Sequence, residues 1–304
     1  MENRNDHTKT SPSHPLRVSD AIPLLKKSYR EWNNHDPFRQ AAVIAYYAIF
    51  SLPGLIVIIV SLASVAFGKE AVIGQLTSQI QGMMGESVAK QINDMLANAA
   101  IGGKSIIATI LAVITMILGA TGVFVQLQKS MNLIWEAKEK PKEGFLLTVR
   151  HRLLSLGVVL SLAFLMIISL LVATLIGLLG DLFSTQSTVL SAMLQALDFV
   201  ISFGVTALFF ALMYKYLPDA EIKWKEVWLG AVIGSALFTI GKFGLGFYFT
   251  LAKPATTYGA AGSIILIMLW VFYSCMIFFF GAEVCKVKKD MMQNNQTTST
   301  TFSG

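Results

Sequence analysis

Long apolar runs alternate with polar connections along this chain, and the runs decide its architecture. Six runs are long enough to cross a bilayer, at residues 38–67, 105–127, 153–179, 194–217, 227–249 and 259–284. A helix that rises about 1.5 Å per residue needs about 20 apolar residues to cross a hydrocarbon layer of about 30 Å. Since lipid offers the backbone no hydrogen bonds, each run must be helical. The pattern predicts an all-α integral membrane protein with six transmembrane helices.

The polar segment before the first run carries a helical pattern of its own. Between residues 21 and 32, apolar and aromatic positions alternate with Lys26, Lys27 and Arg30. This alternation is typical of an amphipathic helix that lies on a membrane surface. The three basic side chains are expected to favour anionic lipid headgroups of the inner leaflet, by about 1 kcal/mol each.

The connection between the first two runs, residues 68–104, is the longest of those predicted to lie on the outer side of the membrane. Its apolar residues recur at helical spacing in two stretches, which Gly82 and Gly85 separate. The spacing predicts a pair of amphipathic helices that cover the outer face of the bundle. A surface cover without a functional role is the alternative interpretation.

Charge is scarce, and its distribution determines the predicted orientation. Hydrophobic residues make up 54% of the chain and charged residues only 14%, whereas about a quarter of a soluble protein is charged. Nineteen of the 24 Lys and Arg residues lie before the first run, after the second, fourth and sixth runs, or, for Arg39 and Lys215, at the ends of runs on that same side. Because basic residues stay in cytoplasmic loops, both termini are predicted to be cytoplasmic. The predicted organisation is a tail with an interfacial helix (1–37), a membrane domain (38–286) and a disordered cytoplasmic tail (287–304).

Two charged residues lie inside the apolar runs, away from the cytoplasmic ends, and are candidate functional residues. Lys242 lies in a glycine-rich part of the fifth run, and Asp198 lies in the outer half of the fourth. A charge at the bilayer centre costs about 2.5–3.5 kcal/mol or more unless it is paired or hydrated. Because a short loop joins the two runs, Asp198 and Lys242 are expected at similar depth and are predicted to form an ion pair. Alternatively, Lys242 extends to the interface and Asp198 is hydrated near the surface.

A second polar cluster is predicted where three runs reach the cytoplasmic side. Its members are Arg39, Gln126, Lys129, Asn132 and Glu283. Glu283 follows an apolar run and needs a partner, for which Arg39 and Lys129 are the candidates. The alternative interpretation is that these residues are ordinary interfacial anchors.

Small and helix-bending residues are predicted to shape the bundle. They are Pro53, Gly230, Gly234, Gly244, Gly259 and Gly262. Proline is expected to kink the first span, and the glycines are expected to let helices pack closely. A kinked span is compatible with a transport path but is not specific to one.

The sequence offers little for catalysis. Hydrolysis of a phosphodiester requires general acids and bases or a metal held by suitable side chains. The four histidines are far apart in the sequence, and the chain contains no recognised metal-binding, nucleophile or phosphate-binding motif. Cys275 and Cys285 are expected to pack as free thiols. We therefore expect no enzyme activity, no cofactor or metal, and no nucleic-acid partner.

Three segments carry a recognisable pattern. They are AAVIAYYAIFSLP at 41–53, GATGVF at 119–124 with NLIW at 132–135, and YGAAGS at 258–263 with LW at 269–270, Tyr273 and GAE at 281–283. In order and spacing, these segments resemble the YihY/BrkB family, which once carried the name ribonuclease BN. The resemblance covers nearly the whole six-span region and implies a six-helix protein of the bacterial cytoplasmic membrane. It carries over no substrate, although some members have been linked to lipid export or serum resistance and the ribonuclease name is widely regarded as a misattribution.

Transport is the function class that these features favour. Intramembrane charge, a proline-glycine break and a glycine-rich helix support a transporter or exporter. The large apolar surface and the basic inner loops suit a lipid or other amphiphilic envelope substrate with an acidic headgroup. Since no ATP-binding motif is present, transport is expected to be secondary, facilitated or driven by a partner. The alternative is a membrane scaffold or envelope-assembly factor that moves nothing. The oligomeric state does not follow from the sequence.

Overall fold

The protein is a helical bundle in a computed structural model that describes residues 21–84, 86, 88–90, 92–94, 106–137, 188–252 and 260–301. Most of these residues lie in α1 (Ala21–Asn34), α2 (Pro37–Phe67), α3 (Lys69–Met84), α4 (Ile106–Ile134), α5 (Thr188–Tyr216), α6 (Trp224–Ala252) and α7 (Ala260–Thr301). None of the described residues lies in a strand. The all-α prediction is confirmed for this part of the chain.

Helix α7 is the centre of the bundle. The helices α1, α2, α3, α4 and α6 all pack against it. In addition, α2 packs against α3 and α4, and α6 packs against α3 and α5. The pair formed by α2 and α4 is thus joined through α7 to the pair formed by α5 and α6. We call the end at which α2 and α6 begin, and α4 and α5 end, the basal end.

Three helices in the described part of the chain are long and apolar enough to cross a membrane. The candidate spans are Phe199–Tyr216 in α5, Trp224–Tyr248 in α6 and Ile264–Gln293 in α7. The first two predicted runs, 38–67 and 105–127, coincide in position with α2 and α4. The third predicted run, 153–179, lies outside the described residues, so the count of six spans stays a prediction.

An aromatic core fills the basal half of the bundle. Phe210 and Tyr214 of α5 pack against Phe278 of α7, with ring centroids 5.6 and 5.0 Å apart. The buried Tyr214 hydroxyl donates a hydrogen bond of 2.9 Å to the Phe278 carbonyl oxygen, which satisfies its polar end. Met131 of α4 and Trp135, which follows this helix directly, belong to the same buried cluster. The core therefore links α4 and α5 to the central helix.

Glycines bring α6 into close contact with α7 and with α5 beside this core. A Cβ built at Gly230 would overlap the Gly281 carbonyl oxygen and the Cys285 Sγ atom. A Cβ built at Gly234 would lie 2.9 Å from the Phe210 ring, closer than side chains normally pack. Small residues let helix backbones approach in a membrane, where dispersion contacts replace the hydrophobic effect as the main attraction.

The other positions predicted to bend or pack the helices behave differently. No described atom lies within 4 Å of a Cβ built at Gly244, so the predicted close packing is not found there. Close contact between α6 and α7 ends one turn earlier, where a Cβ at Gly241 would overlap the Tyr273 ring. Helix α2 continues through Pro53 without interruption. Gly262 is buried, and Gly259 lies outside the described residues.

The connection after α2 folds back as a helical cover at the end opposite to the basal end. Gly68 has φ 83°, a left-handed conformation that suits glycine, and it joins α2 directly to α3. Val72 of α3 is buried in a cluster with Val88, Ile92 and Leu266. The helical stretches predicted for 68–104 therefore pack onto the bundle where they are described.

Helix α3 differs from the prediction in its length. It continues through Gly82 to Met84, so Gly82 does not end the first helical stretch. An isolated glycine weakens a helix by only about 1 kcal/mol, which tertiary contacts readily offset. The Thr77 hydroxyl donates a hydrogen bond of 2.7 Å to Asn93 Oδ1 and links α3 to the residues that follow it.

The C-terminal segment corrects the predicted disordered tail at 287–304, because α7 remains helical to Thr301. Val287 is buried, and Lys286 Nζ pairs with Asp290 Oδ1 at 3.0 Å one turn later. Helix nucleation is costly whereas elongation is not. A helix anchored by these contacts therefore extends through a polar sequence that contains no Gly or Pro.

Candidate functional site at the basal end

A buried carboxylate lies at the junction of α1, α2 and α7. The Glu283 side chain is only 1% exposed, and its Oε1 atom lies 2.5 Å from His35 Nδ1, whose side chain is 25% exposed. The neighbours of Glu283 on α7, Ala282 and Val284, are fully buried. This hydrogen bond spans 248 positions of sequence and joins the start of the bundle to its last helix.

The partner of Glu283 differs from the one expected. Neither Arg39 nor Lys129 pairs with this carboxylate: Arg39 Nη2 lies 3.5 Å from Asp36 Oδ2, and both of those side chains are mostly exposed. Lys129 is exposed on α4. The prediction was wrong because the Arg39 side chain, in the first turn of α2, is exposed and pairs with Asp36, whereas the turn before the helix brings His35 to Glu283.

The junction between α1 and α2 positions His35. Asp36 adopts a left-handed conformation, with φ 48° and ψ 55°, which is uncommon for a residue other than glycine. Pro37 then starts α2, a position where its missing N–H group is harmless. The Gln40 side-chain amide donates a hydrogen bond to the His35 carbonyl oxygen. Pro37 and the hydrogen bond from Gln40 therefore hold the turn in a conformation that places the imidazole next to Glu283.

Helix α1 is docked on α7 next to this junction. Trp32 Nε1 donates a hydrogen bond of 3.1 Å to the Met276 carbonyl oxygen. The Trp32 ring packs edge-on against Phe280, with centroids 6.1 Å apart. Further along α1, Leu24 is buried in a cluster with Val284 of α7. Helix α1 thus shares with His35 a common surface on α7.

Asn132 belongs to a different group from Glu283. Its Nδ2 atom donates to Asp219 Oδ2, and its Oδ1 atom accepts from the Asp219 backbone N–H, both at 2.8 Å. Gln128 Nε2 lies 3.4 Å from the same carboxylate. Asp219 lies in the loop between α5 and α6. This pair of hydrogen bonds clamps the loop to the end of α4.

Lysines of α7 connect the same region to α4 and α6. Lys286 Nζ lies 3.6 Å from Glu136 Oε1, just after α4. Lys289 Nζ lies 3.6 Å from Glu226 Oε2 of α6 and 5.5 Å from the centroid of the Trp135 ring. Partly exposed ion pairs contribute about 1 kcal/mol or less each. Their main effect here is to fix the relative positions of the helix ends.

The five residues predicted as one cluster therefore fall into separate places. Glu283 pairs with His35, Asn132 pairs with Asp219, and Arg39 and Lys129 lie on the surface. Gln126 is half-buried, and its backbone carbonyl accepts a hydrogen bond from Ser130. Sequence reasoning missed the two partners, His35 and Asp219. The signal for each was a titratable residue within two positions of a proline, in a turn at the end of a helix.

Of the predicted intramembrane pair, the structure describes the side chain of Lys242 but not that of Asp198. Lys242 is half-buried within the candidate span Trp224–Tyr248 of α6. Its Nζ atom lies 5.8 Å from the centroid of the Phe243 ring, near the limit of a cation–π contact. Asp198 lies on α5, which packs against α6, and its side chain is outside the described set. The ion pair between Asp198 and Lys242 stays a prediction.

The described part of the chain contains no cluster of side chains suited to metal binding, and its cysteines are not paired. Across those residues, no group of three or more His, Cys, Asp or Glu side chains is arranged to hold a metal ion. Cys275 and Cys285 are both free and buried. The Cys285 thiol donates a hydrogen bond of 3.3 Å to the Val227 carbonyl oxygen, in keeping with the packing role expected of it.

Comparison with known proteins gives the family. The sequence profile of the family described as Virulence factor BrkB matches residues 28–301 of this chain. The chain belongs to the BrkB family. The match includes His35 and Glu283 as well as all three candidate spans. The resemblance to the YihY/BrkB family drawn from the sequence segments is thereby confirmed.

Relatives of this BrkB-family chain share it over most of its length. A UPF0761 membrane protein of Vibrio vulnificus (strain YJ016) is 26% identical over 279 residues, which cover 89% of this chain and 83% of that protein. One of Pseudoalteromonas atlantica is 27% identical over 248 residues, covering 81% and 79%. One of Rhodospirillum centenum is 27% identical over 284 residues, covering 89% of this chain and 58% of a longer relative. No solved structure matches. The BrkB-family chain is a membrane protein.

Proposed function

We propose that this protein is a transporter that moves a lipid, or a lipid-like amphiphile with an acidic headgroup, across the bacterial cytoplasmic membrane. It has no ATP-binding motif in its sequence, so transport is secondary, facilitated or driven by a partner, and equilibration of a lipid between the two leaflets needs no energy source. The protein is not an enzyme in this proposal and requires no cofactor. Lipids are its substrate and its surroundings.

Lys242 is the observation that carries the proposal. Its ammonium group lies in an otherwise apolar span, where a charge costs about 2.5–3.5 kcal/mol or more. The side chain is half-buried, and one turn further along the helix no described atom lies within 4 Å of a Cβ built at Gly244. A cation beside a glycine-rich stretch of helix offers an acidic headgroup a contact within the membrane. Such a contact lowers the barrier to crossing the apolar layer.

The proposed topology has six spans, with the basal end and both termini in the cytoplasm. The bias of Lys and Arg towards that end supports this orientation. On α1, Ile22 and Tyr29 are exposed alongside Lys26 and Lys27, whereas Leu24 is buried. Exposed apolar and basic side chains on one short helix suit the surface of an anionic inner leaflet.

A lipid-movement assay with purified protein tests this proposal. Liposomes contain phosphatidylglycerol labelled on an acyl chain, and dithionite added outside bleaches only the outer leaflet. We expect wild-type protein to make the inner-leaflet label accessible, and Lys242→Gln to slow this by about tenfold or more. The magnitude follows from the loss of a charge-assisted hydrogen bond worth about 1.5–3 kcal/mol. Lys242→Arg should retain most of the rate because it keeps the charge.

Lys90→Gln is the matched control, because Lys90 is an exposed lysine outside the candidate spans, and it should leave the rate unchanged. Equal rates for wild type and Lys242→Gln would remove Lys242 from the path. A wild-type rate no faster than that of empty liposomes would refute transport of this lipid class and favour the alternative, a membrane scaffold.

A further inference from the structure

Among the residues that the structure describes, Glu283 is the only buried acidic or basic side chain. Burial of an ionised carboxylate costs several kcal/mol, and a hydrophobic residue of similar volume often stabilises such a site as well or better. The position on α7 between two fully buried residues could readily hold a hydrophobic side chain. A buried carboxylate with a titratable partner therefore points to a role beyond packing.

The contact between Glu283 and His35 must contain a proton. A nitrogen and an oxygen atom 2.5 Å apart would repel each other if both presented only lone pairs, so either the imidazole N–H or a protonated carboxyl group donates. With one proton in the pair, the neutral imidazole donates through Nδ1 and the carboxylate keeps its negative charge. A second proton makes the pair neutral overall. The pair is thus a site that can take up one proton.

The imidazole also supplies the route to water. The His35 side chain is 25% exposed, whereas that of Glu283 is 1% exposed. A proton from the aqueous phase at the basal end can therefore bind the ring first and reach the carboxylate through Nδ1. Imidazole is suited to this relay because its two nitrogens exchange protons near neutral pH.

Most of the charged groups around the pair are paired with one another. Glu31 on α1 and Lys286 on α7 act on Glu283 with opposite signs. Lys286 is itself paired with Asp290 and with Glu136 after α4. On the α2 side, Arg39 pairs with Asp36 at the surface, and on α6 Glu226 pairs with Lys289. None of these pairs supplies Glu283 with a dedicated cation.

The pair lies next to contacts that fix the positions of several helices. His35 belongs to the left-handed turn between α1 and α2, and Trp32, one turn earlier, anchors α1 to α7. Glu283 is two residues from Gly281, the close contact between α7 and α6. A change of charge at this point therefore acts on the contacts of α1, α2 and α6 with the central helix.

We propose that His35 and Glu283 form a proton-binding site, and that protonation of this site is coupled to lipid movement. The coupling rests on the transport function proposed above, whereas the site does not. One proton is taken up from the aqueous phase at the basal end and is shared by the two side chains. No bond between heavier atoms forms or breaks, and the proton is released again to complete a cycle.

Infrared difference spectroscopy of the full-length protein in liposomes tests the site itself. Spectra recorded at about pH 6 and about pH 8, on either side of the usual imidazole range, should contain the band of a carboxylic acid or those of imidazolium. These bands should disappear in Glu283→Gln and in His35→Gln. Glu31→Gln is the matched control, since it removes a neighbouring carboxylate outside the pair, and it should keep them. Difference spectra of both pair variants that equal the wild-type spectrum would overturn the site.

The lipid-movement assay at the same two pH values tests the coupling. We expect the wild-type rate to change by about fivefold or more, the lower end of typical coupling between sites, and the rate of Glu283→Gln to be independent of pH. If wild type moves lipid with a pH dependence that Glu283→Gln retains, the coupling is wrong and the transport function stands. If wild type moves no lipid, the transport function and the coupling both fail, and the spectra still decide the site. His35→Gln provides a second variant if Glu283→Gln does not fold.

Discussion

Gly230→Ala is expected to destabilise the bundle by about 3 kcal/mol, the upper part of the usual range for overpacking. The added methyl group would overlap the Gly281 carbonyl oxygen and the Cys285 Sγ atom. Neither of these can move aside easily, because one is helix backbone and the other is a fully buried side chain. Relief requires α6 to separate from α7, which loses dispersion contacts along the whole interface. Unfolding in increasing sodium dodecyl sulfate, followed by tryptophan fluorescence, measures the change.

Gly244→Ala on the same helix is the control for that substitution. A Cβ there has no described atom within 4 Å, and alanine favours helix over glycine by about 0.5–1 kcal/mol. This variant should be as stable as wild type or slightly more so. Equal effects of the two substitutions would show that Gly230 does not form a close contact between α6 and α7.

Phe210→Ala should lower stability by about 3–5 kcal/mol, as expected for removal of a buried phenylalanine. Phe210 is 5% exposed and packs against Phe238 and Phe278, with ring centroids 6.0 and 5.6 Å apart. Its loss opens a cavity at the centre of the basal core, where lipid cannot enter to replace the lost contacts. The same detergent titration measures the effect.

Phe199→Ala is the matched control because Phe199 lies on the same helix and is 53% exposed. Lipid chains can occupy the space that its ring leaves, so the expected change is within about 1 kcal/mol of wild type. A Phe210→Ala variant as stable as Phe199→Ala would contradict the packed basal core.

The helices could be predicted from the sequence because a membrane leaves the backbone few alternatives. The predicted runs 194–217, 227–249 and 259–284 coincide with α5, α6 and α7, apart from residue 217, which follows α5, and residue 259, which lies outside the described residues. Gly230 and Gly234 could likewise be singled out, since their spacing of four residues puts both on one face of α6. These predictions rest on period and length alone, which are local properties of the chain.

The partners of the polar residues could not be predicted, since they depend on turns between helices. Charge complementarity predicts a cation, Arg39 or Lys129, as the partner of Glu283. The left-handed turn at Asp36 instead brings His35 to it. Asn132 similarly binds Asp219, a loop residue 87 positions away in the sequence. Contacts of this kind are set by tertiary geometry rather than by sequence period.

The C-terminal segment shows a second limit of sequence reasoning. Its polar composition is typical of disorder, yet α7 is helical to Thr301. The contacts that anchor it, such as those of Val287 and Met291 with Leu24 of α1, join residues at opposite ends of the chain. Composition carries no information about them.

The orientation of the bundle is the claim on which the other proposals depend, because Lys242 must lie within the bilayer and His35 must face the cytoplasm. Single cysteines introduced as Lys26→Cys at the basal end and Lys90→Cys at the opposite end can be labelled in spheroplasts with a membrane-impermeant maleimide. The two native cysteines are buried, so wild type gives the background. We predict labelling of Lys90→Cys in intact spheroplasts and of Lys26→Cys only after lysis. Labelling of Lys26→Cys before lysis, or of both sites equally, would contradict the proposed orientation.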